Sequence, residues 1–394
     1  AKIIFMLKEY FHNNHKDIGP YSSKLSSVLN LHDSAAAFKE IKTWEGYSKT
    51  PLHSLKSLAT ELEVKDIYYK DESSRFGLGS FKALGGTYGV LKFIHHALQK
   101  EIGDEVSIED IHQGRYAEQI SKYTVTTATD GNHGRSVAYG AKLFGCKCQI
   151  YIHSEVSSGR QKAMENLKAS VIRVSGNYDE SLQICIADAQ KNQWHVISDT
   201  SYEGYTKYPR YIMSGYNVMA EEIISQIKDR PLPTHVFLQG GVGSFPGAIC
   251  GYFWEKFPEH GIKIVVVESE YAPCLIRSAQ NNQMTSVNIK QETMMAGLSC
   301  GEPSLLGWEI LKSGTDDFIT INDSSIPGLM RLLATNNPSI EAGESSVAGL
   351  AGLIEAMKDQ KISEAMELNK ESIILLFGTE GATDPEIYHS IISG

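Results

Sequence analysis

From Tyr123 onward, short apolar segments alternate with helical patterns along the chain. The predicted strands are rich in β-branched residues and cover 123–127, 148–153, 170–174, 195–198, 235–238, 263–268 and 373–377. The predicted helices between them cover 135–144, 158–168, 179–192, 211–227, 247–257 and 346–359. This alternation predicts an α/β fold with mostly parallel open sheets flanked by helices. A ligand would then bind beyond the carboxyl ends of the strands.

The length of the chain predicts two lobes, because 394 residues exceed the usual size of a single hydrophobic core. The four strands between 123 and 198 form one compact group, so we assign residues 94–209 to a small, mobile lobe. Residues 1–93 and 210–394 would build a large lobe that is discontinuous in sequence. The acidic stretch 100–119 is predicted to be a solvated helix pair or loop, and its sequence indicates no function.

Lys82 lies among small and apolar residues in the segment 76–86. A lysine with apolar neighbours can lose its proton through desolvation and become a nucleophile toward an aldehyde. On this spacing alone, a surface lysine at the start of a helix is the simpler explanation. Two glycine-containing turns, far away in sequence, favour the nucleophile.

The first of these turns lies in the segment 126–135, between a predicted strand and a predicted helix. A Gly-Asn turn at a strand end exposes the backbone amides of a helix N-terminus, which suits a carboxylate or phosphate oxygen. Asn132 can also present an amide donor to a ring hydroxyl or phenolate. An ordinary turn with a helix cap explains the same residues, so the motif alone decides nothing.

The second turn lies in the segment 234–247, where an apolar strand enters a glycine-rich loop before a helix. The loop lacks the spacing of a dinucleotide fold or a P-loop, and its main-chain amides suit a single phosphate. A lysine, an amide and a one-phosphate loop together indicate pyridoxal 5′-phosphate, bound as an imine on Lys82 with Asn132 on its 3′-oxygen. The amides expected to hold the phosphate are those of Gly240, Gly241, Val242, Gly243 and Ser244.

These motifs resemble those of the fold-type II, tryptophan synthase β-like, pyridoxal phosphate enzymes. Within that group the similarity is strongest to the diaminopropionate ammonia-lyases and runs over residues 51–384. It is carried by the segments 70–78, 129–135, 199–207 and 296–303. The resemblance implies the two-lobed partition given above and a homodimer. It also implies that a hydroxyl, here that of Thr379, faces the pyridine nitrogen, although a turn threonine at a strand end is an equal alternative.

Two carboxylates indicate which reaction the resemblance implies. Many serine and threonine dehydratases of this fold have a serine at the position of Asp130, and Asp199 closes a further predicted strand. Acidic groups near the substrate suit an ammonium β-substituent, although Asp199 can equally be a turn cap. We therefore expect β-elimination of ammonia from D- or L-2,3-diaminopropionate, which gives pyruvate and two ammonia. Serine or threonine dehydration, cysteine desulfhydration and a binding-only module are the alternatives.

The expected roles follow from this reaction. Lys82 on one face of the cofactor and Asp130 on the other would each take a Cα proton, so both enantiomers would be accepted. Asp199 would orient or protonate the β-amino group. His133 would offer its backbone amide to the substrate carboxylate, and Thr129 would also contact the substrate.

Bulk properties limit the partners of the protein. The formal net charge of −10 disfavours nucleic acid and anionic membranes and favours a small cationic or zwitterionic substrate. No apolar run is long enough to span a bilayer, and the run Ile3–Leu7 is too short for a signal-peptide core. The sequence therefore predicts a cytoplasmic protein.

Six cysteines in a chain of this length do not make a disulfide framework. Cys146 and Cys148 lack a second ligand pair at metal spacing, so we expect buried thiols and no metal site. In the resembled lyases, the cysteines that match Cys274 and Cys300 can form a disulfide near the active-site entrance. A disulfide and two free thiols both fit the sequence.

Overall fold

The structure, a computed structural model, describes residues 7–394, with side chains from Glu9 onward. Apart from the backbone of Leu7, the apolar run that begins at Ile3 lies outside the described residues. The elements below are therefore those of residues 7–394.

Two separate sheets form the framework of the chain. Their strands are β1 (Leu7–His12), β2 (Leu52–Ser54), β3 (Asp66–Asp71), β4 (Thr124–Thr129), β5 (Lys147–Ile152), β6 (Ser170–Arg173), β7 (His195–Val196), β8 (His235–Gln239), β9 (Lys263–Ser269), β10 (Asp317–Ile321) and β11 (Ile373–Gly378). The seven-stranded sheet has the order β1-β10-β9-β8-β11-β3-β2, and the four-stranded sheet has the order β6-β5-β4-β7. Strands β1 and β2 pair antiparallel at the two edges of the larger sheet, and the remaining pairs are parallel. The predicted mostly parallel α/β architecture is confirmed.

Helices connect most of these strands. They are α1 (Ser23–Ser26), α2 (Leu31–Ile41), α3 (Lys56–Glu61), α4 (Ala83–Ile102), α5 (Ile108–His112), α6 (Ala117–Ile120), α7 (Asn132–Phe144), α8 (Ser158–Glu165), α9 (Tyr178–Asn192), α10 (Lys207–Tyr216), α11 (Val218–Gln226), α12 (Ser244–Lys256), α13 (Cys274–Asn281), α14 (Leu305–Gly314), α15 (Ile326–Ala334), α16 (Ala348–Lys358), α17 (Gln360–Ala365) and α18 (Pro385–Ser393). Four short 3-10 segments cover Arg75–Gly77, Ala296–Leu298, Asp323–Ser325 and Glu344–Val347. Across the described residues, no helix is long and apolar enough to cross a membrane.

The seven predicted strands are all present, but four further strands were missed. Strand β3 contains Lys70 and Asp71, and β10 begins with Asp317, so charged residues hide their apolar character in the sequence. Strands β1 and β2 are antiparallel edges outside the alternating pattern. The predicted helix 211–227 is two helices, α10 and α11, which meet at Asn217, whose amide Nδ2 donates to Ser34 Oγ at 3.0 Å.

Small residues next to Lys82 allow three helices to approach closely. Lys82 directly precedes α4, which packs against α7 and α10. A Cβ at Gly86 would collide with the side chain of Ser136 on α7, and one at Gly215 would collide with the carbonyl of Leu84. Gly86, within the segment 76–86, and Gly215 on α10 therefore serve close packing between helices.

The two sheets agree with the grouping of strands that the sequence predicts, because β4 to β7 form the smaller one. The predicted boundary between residues 93 and 94 falls inside α4, which runs without a break from Ala83 to Ile102. The domain boundaries and the mobility of the small lobe stay predictions.

A buried charge network supports the segment that leads to Lys82. Arg75 donates to Glu72 Oε1 at 2.8 Å and to Glu222 Oε1 at 2.9 Å, and Lys70 donates to Glu222 Oε1 at 2.8 Å. The four side chains are at most 1% exposed. Because two cations face two carboxylates, the buried charges balance.

Removal of one carboxylate from this network should destabilise the protein strongly. We expect Glu222→Ala to lower the free energy of unfolding by about 3–5 kcal/mol, because Lys70 and Arg75 lose a buried counter-charge. Urea unfolding of the cofactor-free protein measures this. The matched control is Asp110→Ala, which breaks the exposed pair of Asp110 with Arg115 and should cost about 0.5 kcal/mol or less. Equal losses in the two variants would contradict the account.

Candidate active site

A cleft of about 660 Å³ lies at the carboxyl ends of strands from both sheets. Asp130 follows β4, Gly240 follows β8 and Thr379 follows β11, and all three line the cleft. The predicted site residues that line it are Lys82, Thr129, Asp130, Asn132, Asp199, Gly240, Gly241, Val242, Gly243, Ser244 and Thr379. Predicted site residues as far apart in sequence as Lys82 and Thr379, which are separated by 297 positions, thus line one cleft. The cleft lies where a parallel sheet is expected to bind a ligand, beyond the carboxyl ends of its strands.

His133 and Cys274 do not line this cleft, whereas Cys300 does. The ring of His133 is buried, and its Nε2 lies 2.7 Å from the carbonyl oxygen of Ile197. Cys274 and Cys300 are both buried free thiols in the structure. The side chain of His133 is therefore fixed by the protein, and the proposed role of its backbone amide stays a prediction.

Lys82 forms the central ion pair of the cleft. Its Nζ donates to Asp199 Oδ2 at 2.7 Å and lies 5.6 Å from the ring centroid of Tyr216. Burial lowers the pKa of Lys82, but the charges of Asp199, Tyr216 and Asp130 outweigh burial, so the pKa is raised above its ordinary value. The expectation that desolvation deprotonates this lysine is therefore wrong for the protein without a ligand. Apolar sequence neighbours gave no sign of the distant carboxylates.

The pKa values of the two catalytic candidates with carboxyl groups shift in opposite directions. Burial raises the pKa of Asp199, but the charges of Lys82 and then His133 overcome it and lower the pKa to about 2. Burial also raises the pKa of Asp130, where Lys82 opposes the shift and Asp199 adds to it, so the net direction is upward. Two carboxyl groups with pKa values pushed apart are typical of acid–base sites.

Asp199 is held from several sides. The hydroxyl of Ser244 donates to its backbone carbonyl, and the hydroxyl of Tyr178 lies 3.5 Å from its Oδ1. Ser244 is also the first residue of α12, so the glycine loop and Asp199 are tied together. The carboxylate that pairs with Lys82 therefore has a fixed position relative to the glycine loop.

The glycine loop presents main-chain amides to the cleft. Gly241 and Gly243 have φ angles of 64° and 102°, a conformation that favours glycine. Among residues 7–394, the amides of Gly241, Val242, Gly243 and Ser244 have no hydrogen-bond partner. The Gly240 amide donates to Val267 O at 2.8 Å, so the prediction that it holds phosphate is wrong. The hydrogen bonds between β8 and β9 extend to Gly240, so its N–H is not available to a ligand.

The position of Asn132 depends on a residue that the sequence analysis missed. Asn132 Nδ2 donates to Glu380 Oε2 at 2.5 Å, and the backbone N–H of Ser345 donates to Glu380 Oε1 at 3.1 Å. Glu380 is 4% exposed and lines the cleft beside Thr379. Its place directly after Thr379 was the available signal.

Other missed residues surround the Thr379 side of the cleft. Gln239 Nε2 donates to Phe377 O at 2.7 Å and lies 3.4 Å from Thr379 Oγ1. Gln239 Oε1 and Ser345 Oγ are buried without a partner among the described residues. Tyr178 and Ser345 line the cleft too, but belong to none of the sequence motifs. Gly297 also lines it and lies in the motif 296–303, but no role was predicted for it.

These groups fit pyridoxal 5′-phosphate. The cleft offers one lysine amine, four free amides at the start of a helix, an amide and a hydroxyl. Buried polar atoms without partners, such as Ser345 Oγ, are costly unless a ligand or water satisfies them. Within residues 7–394, no group of three or more His, Cys, Asp or Glu side chains is arranged to hold a metal ion.

Comparison with known proteins agrees with this fit. Residues 43–377 match the family model of pyridoxal-phosphate dependent enzymes. The chain belongs to this family. Its members bind the cofactor that the sequence predicted, and pyridoxal 5′-phosphate is confirmed as the cofactor.

Similar curated proteins are diaminopropionate ammonia-lyases. The one from Escherichia coli K12 is 38% identical over 355 residues, which cover 88% of each chain. The one from Salmonella typhimurium LT2 is 36% identical over 398 residues, which cover 98% of each chain. With relatives this similar, the predicted class, a carbon–nitrogen lyase, is confirmed.

Solved structures give the same result. The structure of the E. coli diaminopropionate ammonia-lyase in complex with an aminoacrylate–PLP azomethine intermediate has a TM-score of 0.87 and 35% identity, over 99% of this chain and 98% of that one. The same E. coli enzyme in complex with D-serine also has a TM-score of 0.87. The predicted fold-type II architecture is confirmed.

Replacement of Asp199 should change the protonation of Lys82. We expect Asp199→Asn to lower the pKa of Lys82, because the nearest charge that favours the ammonium form is lost and burial remains. The pH dependence of Lys82 acylation in the cofactor-free protein, followed by peptide mass spectrometry, measures this pKa. Asp188→Asn is the control, since Asp188 pairs with Tyr151 and has no contact with Lys82. An unchanged midpoint in Asp199→Asn would contradict the ion-pair assignment.

Proposed function

We propose that the protein eliminates ammonia from 2,3-diaminopropionate, and that hydrolysis of the product by one water gives pyruvate and a second ammonia. One observation carries this proposal: three carboxylates, those of Asp130, Asp199 and Glu380, line the cleft against a single lysine. An excess of negative charge suits a substrate with a second ammonium group, whereas a serine hydroxyl offers these carboxylates no charge. The diaminopropionate ammonia-lyases at 36–38% identity support the same substrate.

Different residues of the cleft would bind different parts of the cofactor. Pyridoxal 5′-phosphate, when bound, withdraws electrons from the substrate Cα and makes its proton acidic. Lys82 would carry it covalently, and the free amides from Gly241 to Ser244 would hold its phosphate at the N-terminus of α12. Asn132 would donate to its 3′-oxygen, and the Thr379 hydroxyl would face its ring nitrogen.

Asp199 would bind the β-ammonium group of the substrate. With a pKa lowered to about 2, Asp199 stays charged and is a poor proton donor. An ammonium leaving group departs as neutral ammonia and needs no added proton. Asp199 therefore orients the leaving group and does not protonate it.

The same contact would free Lys82 to act as a base. In the empty cleft, Asp199 favours the ammonium form of Lys82. A substrate ammonium that pairs with Asp199 takes over this counter-charge, so the pKa of Lys82 falls. Lys82 would then remove the Cα proton of one enantiomer, and Asp130 would remove that of the other. Thr129 and the backbone amide of His133 would bind the substrate carboxylate.

The partners that we propose are few. The substrate is a small amino acid, and a net charge of −10 disfavours nucleic acid and anionic membranes. We propose a homodimer in the cytoplasm, as the family resemblance implies. Sedimentation of the purified protein distinguishes a dimer from a monomer.

A substrate panel tests the proposed reaction. Pyruvate and ammonia are measured with D- and L-2,3-diaminopropionate, and with serine, threonine and cysteine for comparison. We expect two ammonia per pyruvate from diaminopropionate, and a kcat/KM roughly 100-fold above that for serine, because serine leaves the buried carboxylates unpaired. A kcat/KM for serine or cysteine equal to that for diaminopropionate would instead favour a dehydratase or desulfhydrase.

Asp130→Asn tests the assignment of a base to each face. We expect kcat/KM for one enantiomer to fall by roughly 10²–10⁴-fold, while that for the other changes by less than about 10-fold. In the unmodified enzyme, the activity that uses Asp130 should fall as pH decreases through its raised pKa, since the protonated carboxyl cannot accept a proton. The comparison of the two enantiomers is the internal control. Equal losses for both would contradict a base specific to one face.

A further inference from the structure

Glu380 adds negative charge to the cleft, but its contacts indicate a second task. Its Oε2 accepts from Asn132 Nδ2 at 2.5 Å, and its Oε1 accepts from the backbone N–H of Ser345 at 3.1 Å. The side chain neighbours two residues proposed to contact the cofactor ring, Asn132 in space and Thr379 in sequence. Its contact with Asn132 decides how that amide is oriented.

A side-chain amide can bind in two orientations that differ by exchange of its oxygen and nitrogen. The Glu380 carboxylate only accepts hydrogen bonds, so it selects the orientation in which Nδ2 of Asn132 faces it. One N–H of that nitrogen is used by Glu380, and the second remains for a ligand. With the opposite orientation, the amide oxygen would face a carboxylate and be repelled.

The carboxylate itself cannot swing away easily. It is 4% exposed and engaged at both oxygens. The backbone N–H of Glu380 also donates to Ser346 Oγ at 2.7 Å, and the Ser346 hydroxyl donates back to the carbonyl of Glu380. Because these contacts fix the position of the buried carboxylate, it can fix the orientation of the Asn132 amide.

The contact also joins the two sheets. Asn132 begins α7 after a strand of the smaller sheet, and Glu380 follows β11 of the larger one. A second contact lies nearby, where Arg160 donates to Glu344 Oε2 at 2.9 Å and lies 3.3 Å from Thr383 Oγ1. Glu380 therefore reaches Asn132 only when the two sheets stand in this relative position.

We propose that Glu380 is a positioning residue that orients the Asn132 amide toward the 3′-oxygen of pyridoxal 5′-phosphate and does so only when the two lobes are together. The inference rests on the proposed role of Asn132. It goes beyond the proposed reaction, because it assigns to one carboxylate a task that is independent of the amino acid consumed.

The test is a double-mutant cycle on cofactor affinity in the absence of substrate. Titration of the cofactor-free protein with pyridoxal 5′-phosphate should give a dissociation constant roughly 10-fold higher for Glu380→Ala than for the unmodified protein. In an Asn132→Ala background, the same change should alter the constant by less than about twofold, since Glu380 acts through Asn132. Glu380→Gln retains one acceptor oxygen for two donors, Asn132 Nδ2 and the Ser345 N–H, so it should also weaken binding, and only when Asn132 is present.

A spectroscopic signature and a control accompany the titration. The absorption maximum of the bound cofactor should shift in the same direction in Glu380→Ala and in Asn132→Ala. Glu341→Gln is the matched control, because exposed Glu341 accepts from the Ala382 amide at 2.9 Å in the same loop but does not line the cleft. Its affinity and absorption maximum should not change.

Two results would overturn the inference. One is an unchanged dissociation constant in both Glu380 variants. The other is an equal loss in the presence and in the absence of Asn132, which would make Glu380 only a structural tie between the lobes. If Glu380→Ala does not fold, Glu380→Gln takes its place in the cycle, and the same two results overturn the inference. Failure of the diaminopropionate assay would leave these outcomes unaffected, so the two proposals fail separately.

Discussion

The 2.7 Å ion pair of Lys82 with Asp199 determines how the rest of the cleft works. Phe81, directly before Lys82, donates its N–H to the carbonyl of Thr379 after β11 of the larger sheet, and Asp199 follows a strand of the smaller sheet. The pair therefore joins both sheets. Ser244 binds the backbone of Asp199 and adds the glycine loop to the same assembly. The amine, the carboxylate and the free amides of the glycine loop are thereby positioned relative to one another.

The pair also sets the protonation of the cleft. It lowers the pKa of Asp199 and raises that of Lys82, while Asp130, without an equally close cation, keeps a raised pKa. In the proposed mechanism, a substrate with a second ammonium group would replace Lys82 at Asp199 and so convert the lysine from a counter-ion into a base. A hydroxyl substrate would not make this exchange, so the proposal links substrate choice to activation of the base.

Local patterns predicted much of the fold and of the site. The seven strands found from the sequence have apolar, β-branched cores, and the turns at Asp130 and Gly240 are visible because glycine and asparagine interrupt that pattern. Strand β3 was missed because Lys70 and Asp71 are charged. Lys70 forms a buried ion pair with Glu222, 152 residues away. Ion pairs between distant residues leave no trace in periodicity.

Contacts between residues distant in sequence also explain which predictions about the site were wrong. The protonation of Lys82 depends on Asp199, 117 residues away, and the Gly240 amide is used by Val267 on a neighbouring strand. Glu380 stood beside a predicted residue, yet only the fold shows that it contacts Asn132, 248 residues away. Residue types and turns were therefore predictable, whereas partners that tertiary structure brings together were not.

The central claim is that the cofactor is bound covalently to Lys82. Reduction of the cofactor-loaded protein with borohydride fixes this bond, and peptide mass spectrometry then locates it. The account predicts one pyridoxyl-phosphate group per chain, on the peptide that contains Lys82. A group on a different lysine, or none on any peptide, would contradict it.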